Sequence, residues 1–334
     1  MSDHARKEVL PANLMEHRAA RAWRQVWPEW REPTGIEILK LKTKSAVYRL
    51  HGAGPGGCAV IAKRCHAATA SLERMIYEEY LPRLPLRALE CYGLVEEPDG
   101  KCCWLFLEDA GGHQYSPANQ ADRVLAGRWL GFVHGAPLLA NLHTLLPDRG
   151  PGHYAQLLRS ARAALTRHSG NPVLSADETA LLRRFVSWCD RIEEHWPELE
   201  KLFEGWPRTL IHGDFVIKNL RIQNGAARPV LLVYDWEMAG CGMPATDLAQ
   251  SLGRCVSPDL DAYCAAIWQR GWHIDVGDLR RLADFGNVLR LVDKIYWETA
   301  SVVGDTYDFL VRLLTTFPKY DPQLAAALRA VNWS

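Results

Sequence analysis

The chain has 334 residues, of which 48% are hydrophobic and 23% charged, and its formal net charge at pH 7 is zero. This length suits about two domains, and the ordinary composition predicts a soluble globular protein, whereas a nucleic-acid partner would usually require a basic face. No apolar stretch approaches the roughly 20 residues of a membrane-spanning helix, and nine scattered cysteines without a secretory signal favour reduced thiols in the cytoplasm.

The N-terminal third predicts a helix followed by a small sheet. Apolar residues recur at helical spacing near the N-terminus and predict an amphipathic helix; they are Met15, Ala19, Ala22, Trp23 and Val26. Between Ile36 and Asp109, short apolar runs alternate with turns and predict five strands, which begin at Ile36, Ser45, Cys58, Leu89 and Cys102. A helical pattern separates the third strand from the fourth. We therefore expect a mostly antiparallel sheet with one helix.

Long helical patterns dominate after Asp109. They cover residues 119–134, 154–167, 176–203, 258–270 and 278–303. Trp196-Pro197 should kink or end the third of these helices, because proline cannot donate to the helical ladder. Two short strands, TLIHGD and VLLVYDWE, interrupt the helices. We predict an N-terminal lobe over 1–107, a hinge over 108–112 and a C-terminal lobe over 113–334.

Polar residues that could perform catalysis concentrate at the ends of those two strands. The first strand ends in His212-Gly213-Asp214 and is followed by Asn219, and the second ends in Asp235. We expect Asp235 to lie on the adjacent strand, where Asn219 and Asp235 can face one metal ion from two sides while Asp214 points at an attacking hydroxyl. Phosphoryl transfer requires such a layout, because metal ions neutralise phosphate charge while an acceptor group orients the nucleophile.

The segment HGDFVIKN resembles the HGDxxxxN loop of aminoglycoside phosphotransferases and choline kinases, and YDWEMAGCGMPATDLA resembles the segment that follows it. The similarity in the order of elements extends over nearly the whole chain. It implies an α+β, bilobal, protein-kinase-like fold and transfer of the ATP γ-phosphate to a small-molecule hydroxyl. By this resemblance Asp214 orients or deprotonates the hydroxyl, and Asn219 and Asp235 bind Mg²⁺.

The resemblance also implies a nucleotide site in the N-terminal lobe. Lys63, on the third strand, occupies the place where kinases put the lysine that contacts the α- and β-phosphates. Its partner should be a glutamate of the following helix. We expect Glu73, with Glu78 and Glu79 as alternatives. Glu78 lies about 140° around the helix from Glu73, so both cannot face Lys63.

The remaining nucleotide contacts are expected from the backbone. WLFLEDAGG resembles the hinge that binds adenine, and it predicts contacts from the Glu108 carbonyl and the Ala110 amide. The loop between the first two strands departs from the kinase pattern because it lacks GxGxxG. Backbone amides of residues 43–46, together with the Ser45 hydroxyl, could still bind phosphate.

Several neighbours of these residues have open roles. We expect His212 to hold the catalytic loop through hydrogen bonds and Asp247 to support that loop from the next helix. Glu237 could assist the metal site or be exposed, and Lys218 could contact the γ-phosphate. Aromatic and acidic residues on the late helices suit a sugar or a cationic amine as acceptor, although they could equally be core and surface residues; they are Trp268, Trp272, Asp293, Tyr296, Trp297 and Glu298.

Two other functional classes compete with a small-molecule kinase. A protein kinase would carry HRD, DFG and APE segments, whereas this chain has HGD and DWE and only a short interval between Asp235 and Asp247. An inactive nucleotide-binding protein is disfavoured because the expected catalytic and binding residues are all present, namely Lys63, Asp214, Asn219 and Asp235. We therefore expect ATP and Mg²⁺ as cofactors, a small-molecule hydroxyl acceptor, no nucleic-acid or membrane partner, and a monomer or homodimer.

Overall fold

The computed structural model describes residues 7–8, 14–42, 45–225, 228–250, 253 and 255–333. The chain divides into two compact units, and each unit combines two separate segments. The first unit comprises Met1–Tyr115 and Asn219–Met238, and the second comprises Ser116–Lys218 and Ala239–Ser334. The boundaries predicted for the nucleotide-binding lobe, the hinge and the catalytic lobe stay a prediction. None of the described helices is both long and apolar enough to cross a membrane.

An antiparallel sheet forms most of the first unit. Its strands are β1 (Lys7–Glu8), β2 (Gly35–Leu41), β3 (Ala46–His51), β4 (Val60–His66), β5 (Cys91–Glu96) and β6 (Cys102–Glu108). They lie in the order β1-β2-β3-β4-β6-β5, and every neighbouring pair is antiparallel. The predicted strands are confirmed, and β1 extends the sheet at the edge beyond β2.

Helices flank this sheet. Helix α1 (Arg18–Val26) buries Ala19, Ala22 and Trp23, as the apolar spacing predicts. The Trp23 indole donates to the Ala53 carbonyl at 3.0 Å and its ring lies 5.2 Å from that of Phe106, which fixes the helix against the sheet. Helix α2 (Ala67–Met75) continues as a π turn (Ile76–Tyr80) and a 3-10 turn (Leu81–Arg83).

A hairpin from the later part of the chain completes the first unit. Its strands β10 (Leu220–Asn224) and β11 (Pro229–Val233) form a sheet with β7 (His113–Gln114), in the order β11-β10-β7. The prediction that the strand before Asp235 lies beside the strand before Asp214 is therefore wrong. Leu220 and Ile222 are buried and alternate with the more exposed Arg221 and Gln223, so this segment is a half-buried strand, and it pairs with β11.

The second unit combines a short sheet with long helices. Its strands are β8 (Asp148–Arg149), β9 (Thr209–Ile211) and β12 (Gly240–Gly242), in the order β8-β12-β9. Its helices are α3 (Gln120–His134), α4 (Ala140–Leu145), α5 (Pro151–His168), α6 (Ala176–Glu194), α7 (Trp196–Glu204), α8 (Ala245–Leu248), α9 (Leu260–Trp268), α10 (Val276–Ala300) and α11 (Tyr307–Ala330). The predicted α+β class, with its N-terminal sheet and mainly helical C-terminal region, is confirmed.

Candidate active site

Lys63 occupies the centre of the polar cluster in the first unit. It lies on β4 with only 6% of its surface exposed. Its ammonium donates to Glu73 Oε1 and to Asp235 Oδ1, each at 2.5 Å. Glu73 is fully buried on α2, whereas Glu78 forms an ion pair with Arg74. The predicted contact between Lys63 and Glu73 is confirmed.

Opposing effects determine the charge of Lys63. Burial lowers the pKa of its ammonium, but the carboxylates of Glu73 and Asp235 outweigh that effect, so the pKa is raised. Burial also raises the pKa of Glu73. Lys63 is consequently a permanent cation that two carboxylates share, and one of those carboxylates is the proposed metal ligand.

Asp235 has an unusual backbone conformation. Its φ is 69°, in the left-handed region, which costs a non-glycine residue on the order of 1–3 kcal/mol and is typical of functional sites. Its side chain is 22% exposed. The following 3-10 turn (Trp236–Met238) buries Trp236 completely and leaves Glu237 exposed. The backbone therefore holds the Asp235 carboxylate in place. Glu237 is exposed, which is one of the two alternatives expected for it.

Asn219 lies next to Asp235 because both residues flank the β10–β11 hairpin. Leu220 is in register with Val233, and the Tyr234 amide donates to the Asn219 carbonyl at 3.1 Å. Carboxylate and amide oxygens are hard donors that suit Mg²⁺, which needs only one or two protein ligands when phosphates supply others. Within the described residues, no group of three or more His, Cys, Asp and Glu side chains is arranged to hold a metal ion. The pair of donors fits the expected ion.

The expected adenine-binding and phosphate-binding backbone lies at strand ends of the same unit. Glu108 ends β6, and its carboxylate accepts from Arg87 at 2.5 Å and from the Glu90 amide at 3.1 Å. Ala110 is buried. The Lys42 amide donates to the Ser45 carbonyl at 2.8 Å and closes the turn between β2 and β3. Thr43 and Lys44, whose amides were expected to bind phosphate, lie outside the described residues.

The second unit presents Asp214 on a loop that follows β9. Asp247, fully buried on α8, accepts from the amides of His212 (2.6 Å) and Gly213 (3.0 Å). Gly213 has a φ of 75°, where a side chain would be strained. The Asp214 amide donates to His212 Nδ1 at 3.3 Å. The hydrogen bonds that we expected His212 and Asp247 to form with this loop are confirmed.

The charge of Asp247 is fixed by its surroundings. Burial raises the pKa of this carboxyl, but hydrogen bonding and charge from His134 and His212, with the loop amide, outweigh burial and leave the pKa below its usual value. His134 Nε2 lies 3.4 Å from Asp247 Oδ2. Sequence reasoning missed His134, since it lies on α3, far away in the chain.

Replacing Asp247 with Ala should destabilise the second unit by roughly 2–5 kcal/mol. Two buried loop amides would lose their acceptor, and each unpaired buried group costs about 1–3 kcal/mol. Denaturant unfolding of the variant and of Asp190→Ala, an exposed ion-paired carboxylate, provides the comparison. Equal stability of the two variants would show that Asp247 does not hold the loop.

Lys218 is a close charged neighbour of Asp214. Asp214 Oδ2 lies 2.9 Å from Lys218 Nζ, and the two side chains are 30% and 53% exposed. The side chain of Asp214 is thus accessible to an acceptor from solvent. The possible contact of Lys218 with the γ-phosphate stays a prediction.

Only part of the predicted acceptor cluster assembles around Asp214. Of its members, Asp293 is close enough to Asp214 for the charge of Asp214 to raise the pKa of Asp293, while Trp297 lowers that pKa. Burial raises the pKa of Asp293 to about 6 against the lowering effect of Arg290 and Arg149. Other members have separate contacts: Tyr296 packs edge-on against Trp297 with centroids 5.7 Å apart, Trp268 donates to the Ile274 carbonyl, and Glu298 accepts from Arg312.

Asp293 should make stability depend on pH. Its folded pKa of about 6 lies above its ordinary value of 3.8, so the native state binds more protons and stability falls as pH rises through that window. The penalty is complete above about pH 6. Asp293→Asn should therefore be about 1–3 kcal/mol more stable than wild type at pH 8 and nearly equal at pH 4. Thermal unfolding at both pH values tests this, and a variant that is less stable at pH 8 would contradict it.

A family model matches most of the chain. The model described as "APH: Phosphotransferase enzyme family" matches residues 35–285. The chain belongs to this phosphotransferase family. The match spans both units and includes every catalytic, nucleotide-binding and metal-binding candidate named above. No curated protein sequence matches the chain significantly.

Solved structures show the same fold at low sequence identity. A spectinomycin phosphotransferase in complex with ADP and spectinomycin is 12% identical, with a TM-score of 0.59 and coverage of 91% of this chain and 94% of that one. An aminoglycoside 2'-phosphotransferase in its GDP complex is 13% identical, with a TM-score of 0.62 and coverage of 92% and 97%. A Plasmodium vivax ethanolamine kinase is 15% identical, with a TM-score of 0.59 and coverage of 94% and 86%.

Proposed function

We propose that this protein is an ATP-dependent kinase that transfers the γ-phosphate to a hydroxyl group of a small molecule. The observation that supports this most strongly is the buried Lys63 ammonium, which contacts both Glu73 and Asp235 at 2.5 Å. The carboxylates of Glu73 and Asp235 raise the pKa of this buried lysine, so it keeps its positive charge. A lysine ammonium is a point charge suited to phosphates. Fold relatives solved with ADP and with GDP support a nucleotide as the ligand.

The first unit would bind the nucleotide. Lys63 would contact the α- and β-phosphates, and Glu73 would hold the lysine in place. The Glu108 carbonyl and the Ala110 amide would bind adenine in the proposed hinge, 108–112, and Ser45 would contact phosphate from the turn between β2 and β3.

Asn219 and Asp235 would hold Mg²⁺, which neutralises phosphate charge when it is bound. The Tyr234 amide donates to the Asn219 carbonyl, so Asn219 and Asp235 are neighbours along the backbone of the hairpin, and Asp235 has a left-handed conformation. The same Asp235 oxygen accepts from Lys63, so the lysine cation occupies part of the carboxylate that a metal would use.

Asp214 would act on the acceptor. A loop carboxylate that Asp247 holds through two backbone amides can accept a hydrogen bond from the attacking hydroxyl and orient it. Lys218 Nζ lies 2.9 Å from Asp214 Oδ2, and in the loose transition state of phosphoryl transfer the attacking hydroxyl keeps much of its proton until late. This favours orientation of the hydroxyl, with late proton transfer, over early deprotonation.

Lys63→Ala should lower kcat/KM for ATP by about 10²-fold or more and leave KM for the acceptor nearly unchanged, because the ammonium contacts phosphates. Loss of the cation also leaves Glu73 buried without a partner, which costs up to about 3–5 kcal/mol unless the carboxyl takes a proton. Lys63→Arg, which keeps the charge, separates the two effects. Unchanged ATP kinetics with a collapse of acceptor binding would place Lys63 in the other binding site.

The function itself is tested by ADP release. Wild type and Asp214→Asn would be assayed with ATP, Mg²⁺ and a panel of aminoglycosides, choline, amino alcohols and sugars. We expect acceptor-dependent ADP release by wild type, and an aminoglycoside acceptor would make antibiotic resistance the biological role. Nucleotide binding without any acceptor-stimulated release would instead identify an inactive nucleotide-binding protein.

A further inference from the structure

Arg49 lies on the face of the first unit's antiparallel sheet that also carries Lys63. Arg49 on β3 is in register with Ile61 on β4, and Lys63 on β4 is in register with Val47 on β3. Residues directly opposite each other have their side chains on one face of a sheet, and so do residues two apart along a strand. Arg49 and Lys63 therefore share a face, and their positions along the strands differ by about 7 Å. This is the face on which Lys63 would contact the nucleotide.

The Arg49 guanidinium joins this sheet to the proposed hinge. Its Nη1 donates to Glu37 Oε2 at 2.7 Å, and its Nε and Nη2 donate to Asp109 Oδ2 and Oδ1 at 2.7 and 3.3 Å. Glu37 is buried and lies opposite Arg49 on β2. A planar guanidinium that is bound in this two-pronged way has its orientation fixed as well as its position. Arg49 thus fixes the Asp109 carboxylate relative to the sheet.

Asp109 in turn holds the backbone of the hinge. Its Oδ1 accepts from the Gly111 amide at 3.3 Å, across Ala110. The next residue, Gly112, has a φ of 61°, and a Cβ atom at this position would lie 2.2 Å from the Ile222 carbonyl oxygen of β10. The hinge is therefore bound by a side chain at its start and passes close to a strand at its end.

The position of Asp109 between the two expected adenine contacts determines what this arrangement can do. The Glu108 carbonyl belongs to the peptide unit before the Cα atom of Asp109, and the Ala110 amide belongs to the unit after it. Each peptide unit is planar, so the φ and ψ angles of Asp109 set the direction of one group relative to the other. The hold of Arg49 on the Asp109 side chain restricts these angles.

We propose that Arg49 is a positioning residue of the nucleotide site, which holds the Glu108 carbonyl and the Ala110 amide in the directions needed to bind adenine. This inference rests on the proposed function and adds a residue that acts through the hinge backbone. Two carboxylates share the Arg49 guanidinium and compensate its charge. Its task therefore differs from that of Lys63, which would contact the phosphates.

Calorimetric titration of the full chain with ADP in the presence of Mg²⁺ tests this assignment. Arg49→Gln should weaken ADP binding at least about tenfold. Asp109→Asn should have a similar effect, and it leaves the buried Glu37 paired with Arg49, so it remains informative if Arg49→Gln does not fold. The double variant should lose no more than either single variant, because both substitutions remove the same contact. In ADP-release kinetics, both should raise KM for ATP and leave kcat nearly unchanged.

Arg64 provides a matched control. It lies on β4 of the same sheet and donates to a buried carboxylate, Glu97, at 2.9 and 2.6 Å. Because it follows Lys63 in the chain, it faces the other side of the sheet. Arg64→Gln should lose a comparable amount of stability in thermal unfolding, yet bind ADP like wild type.

Three results would overturn the assignment. They are wild-type ADP affinity in Asp109→Asn, a loss of ADP affinity in Arg64→Gln as large as that in Arg49→Gln, and a fall in kcat with unchanged KM for ATP. ADP binding that depends on Arg49, without phosphoryl transfer to any acceptor, would overturn the proposed function alone.

Discussion

Replacing Asp214 with Asn should lower turnover about 10²-fold or more while nucleotide affinity stays nearly unchanged. Asparagine keeps the size of the side chain and one acceptor oxygen, but it loses the charge that holds the attacking hydroxyl, and losses of this kind typically cost 10²–10⁴-fold. The loop should remain folded, because Asp247 binds the amides of His212 and Gly213, which the substitution does not touch.

The measurement is a pair of experiments on wild type and Asp214→Asn: turnover by ADP release and nucleotide affinity by calorimetry. Asp190→Asn serves as a control, since Asp190 is an exposed carboxylate of the same unit with an arginine partner, as Asp214 has a lysine partner. Full activity of Asp214→Asn would rule out its catalytic assignment. Joint loss of fold and nucleotide binding would mean that Asp214 only stabilises its loop.

Replacing Asp235 with Asn should abolish measurable turnover, with a loss of at least about 10²–10³-fold, and leave the fold intact. The substitution removes the negative ligand from the proposed Mg²⁺ site. Asparagine tolerates the left-handed backbone that Asp235 adopts, so the turn can persist. Lys63 keeps its contact with Glu73, so the buried cation still has a carboxylate partner.

Turnover over a range of Mg²⁺ concentrations, together with thermal unfolding, tests this result. Asp99→Asn is a suitable control because Asp99 is an exposed carboxylate in a turn of the same unit. Activity of Asp235→Asn close to wild type at ordinary Mg²⁺ would contradict the metal assignment. Loss of structure in the variant would instead assign Asp235 the structural task of pairing with Lys63.

Local patterns in the sequence were sufficient for most individual elements. Short apolar runs separated by turns predicted β2 to β6, and the Trp196-Pro197 pair marked the break between α6 and α7. Glu73 was chosen because it falls early in the helix, helical geometry showed that Glu78 could not face Lys63 as well, and the structure shows the contact between Lys63 and Glu73. These features depend on residues that are close to each other in the sequence, so the sequence alone was sufficient to predict them.

Features that depend on distant partners could not be predicted in this way. Strand β10 has only five residues, and its pairing with β7 joins segments about a hundred residues apart. Helix α11 contains Pro318 and Pro322, which by themselves indicate a helix end. Its buried face, including Leu313 and Phe317, packs into the second unit and outweighs that local cost.

The acceptor side of the site was the least predictable part. Trp268, Tyr296 and Glu298 were grouped by residue type, yet their contacts differ. Such properties follow only from packing in three dimensions.

Transfer of a radiolabelled γ-phosphate from ATP to a hydroxylated acceptor tests the central claim most directly. Wild type, Asp214→Asn and Asp190→Asn would be incubated with labelled ATP, Mg²⁺ and the panel of aminoglycosides, choline, amino alcohols and sugars. We predict a labelled phosphoester with wild type and Asp190→Asn and essentially none with Asp214→Asn. Label that appears only as inorganic phosphate with every acceptor, or a phosphoester formed equally well by Asp214→Asn, would contradict the account.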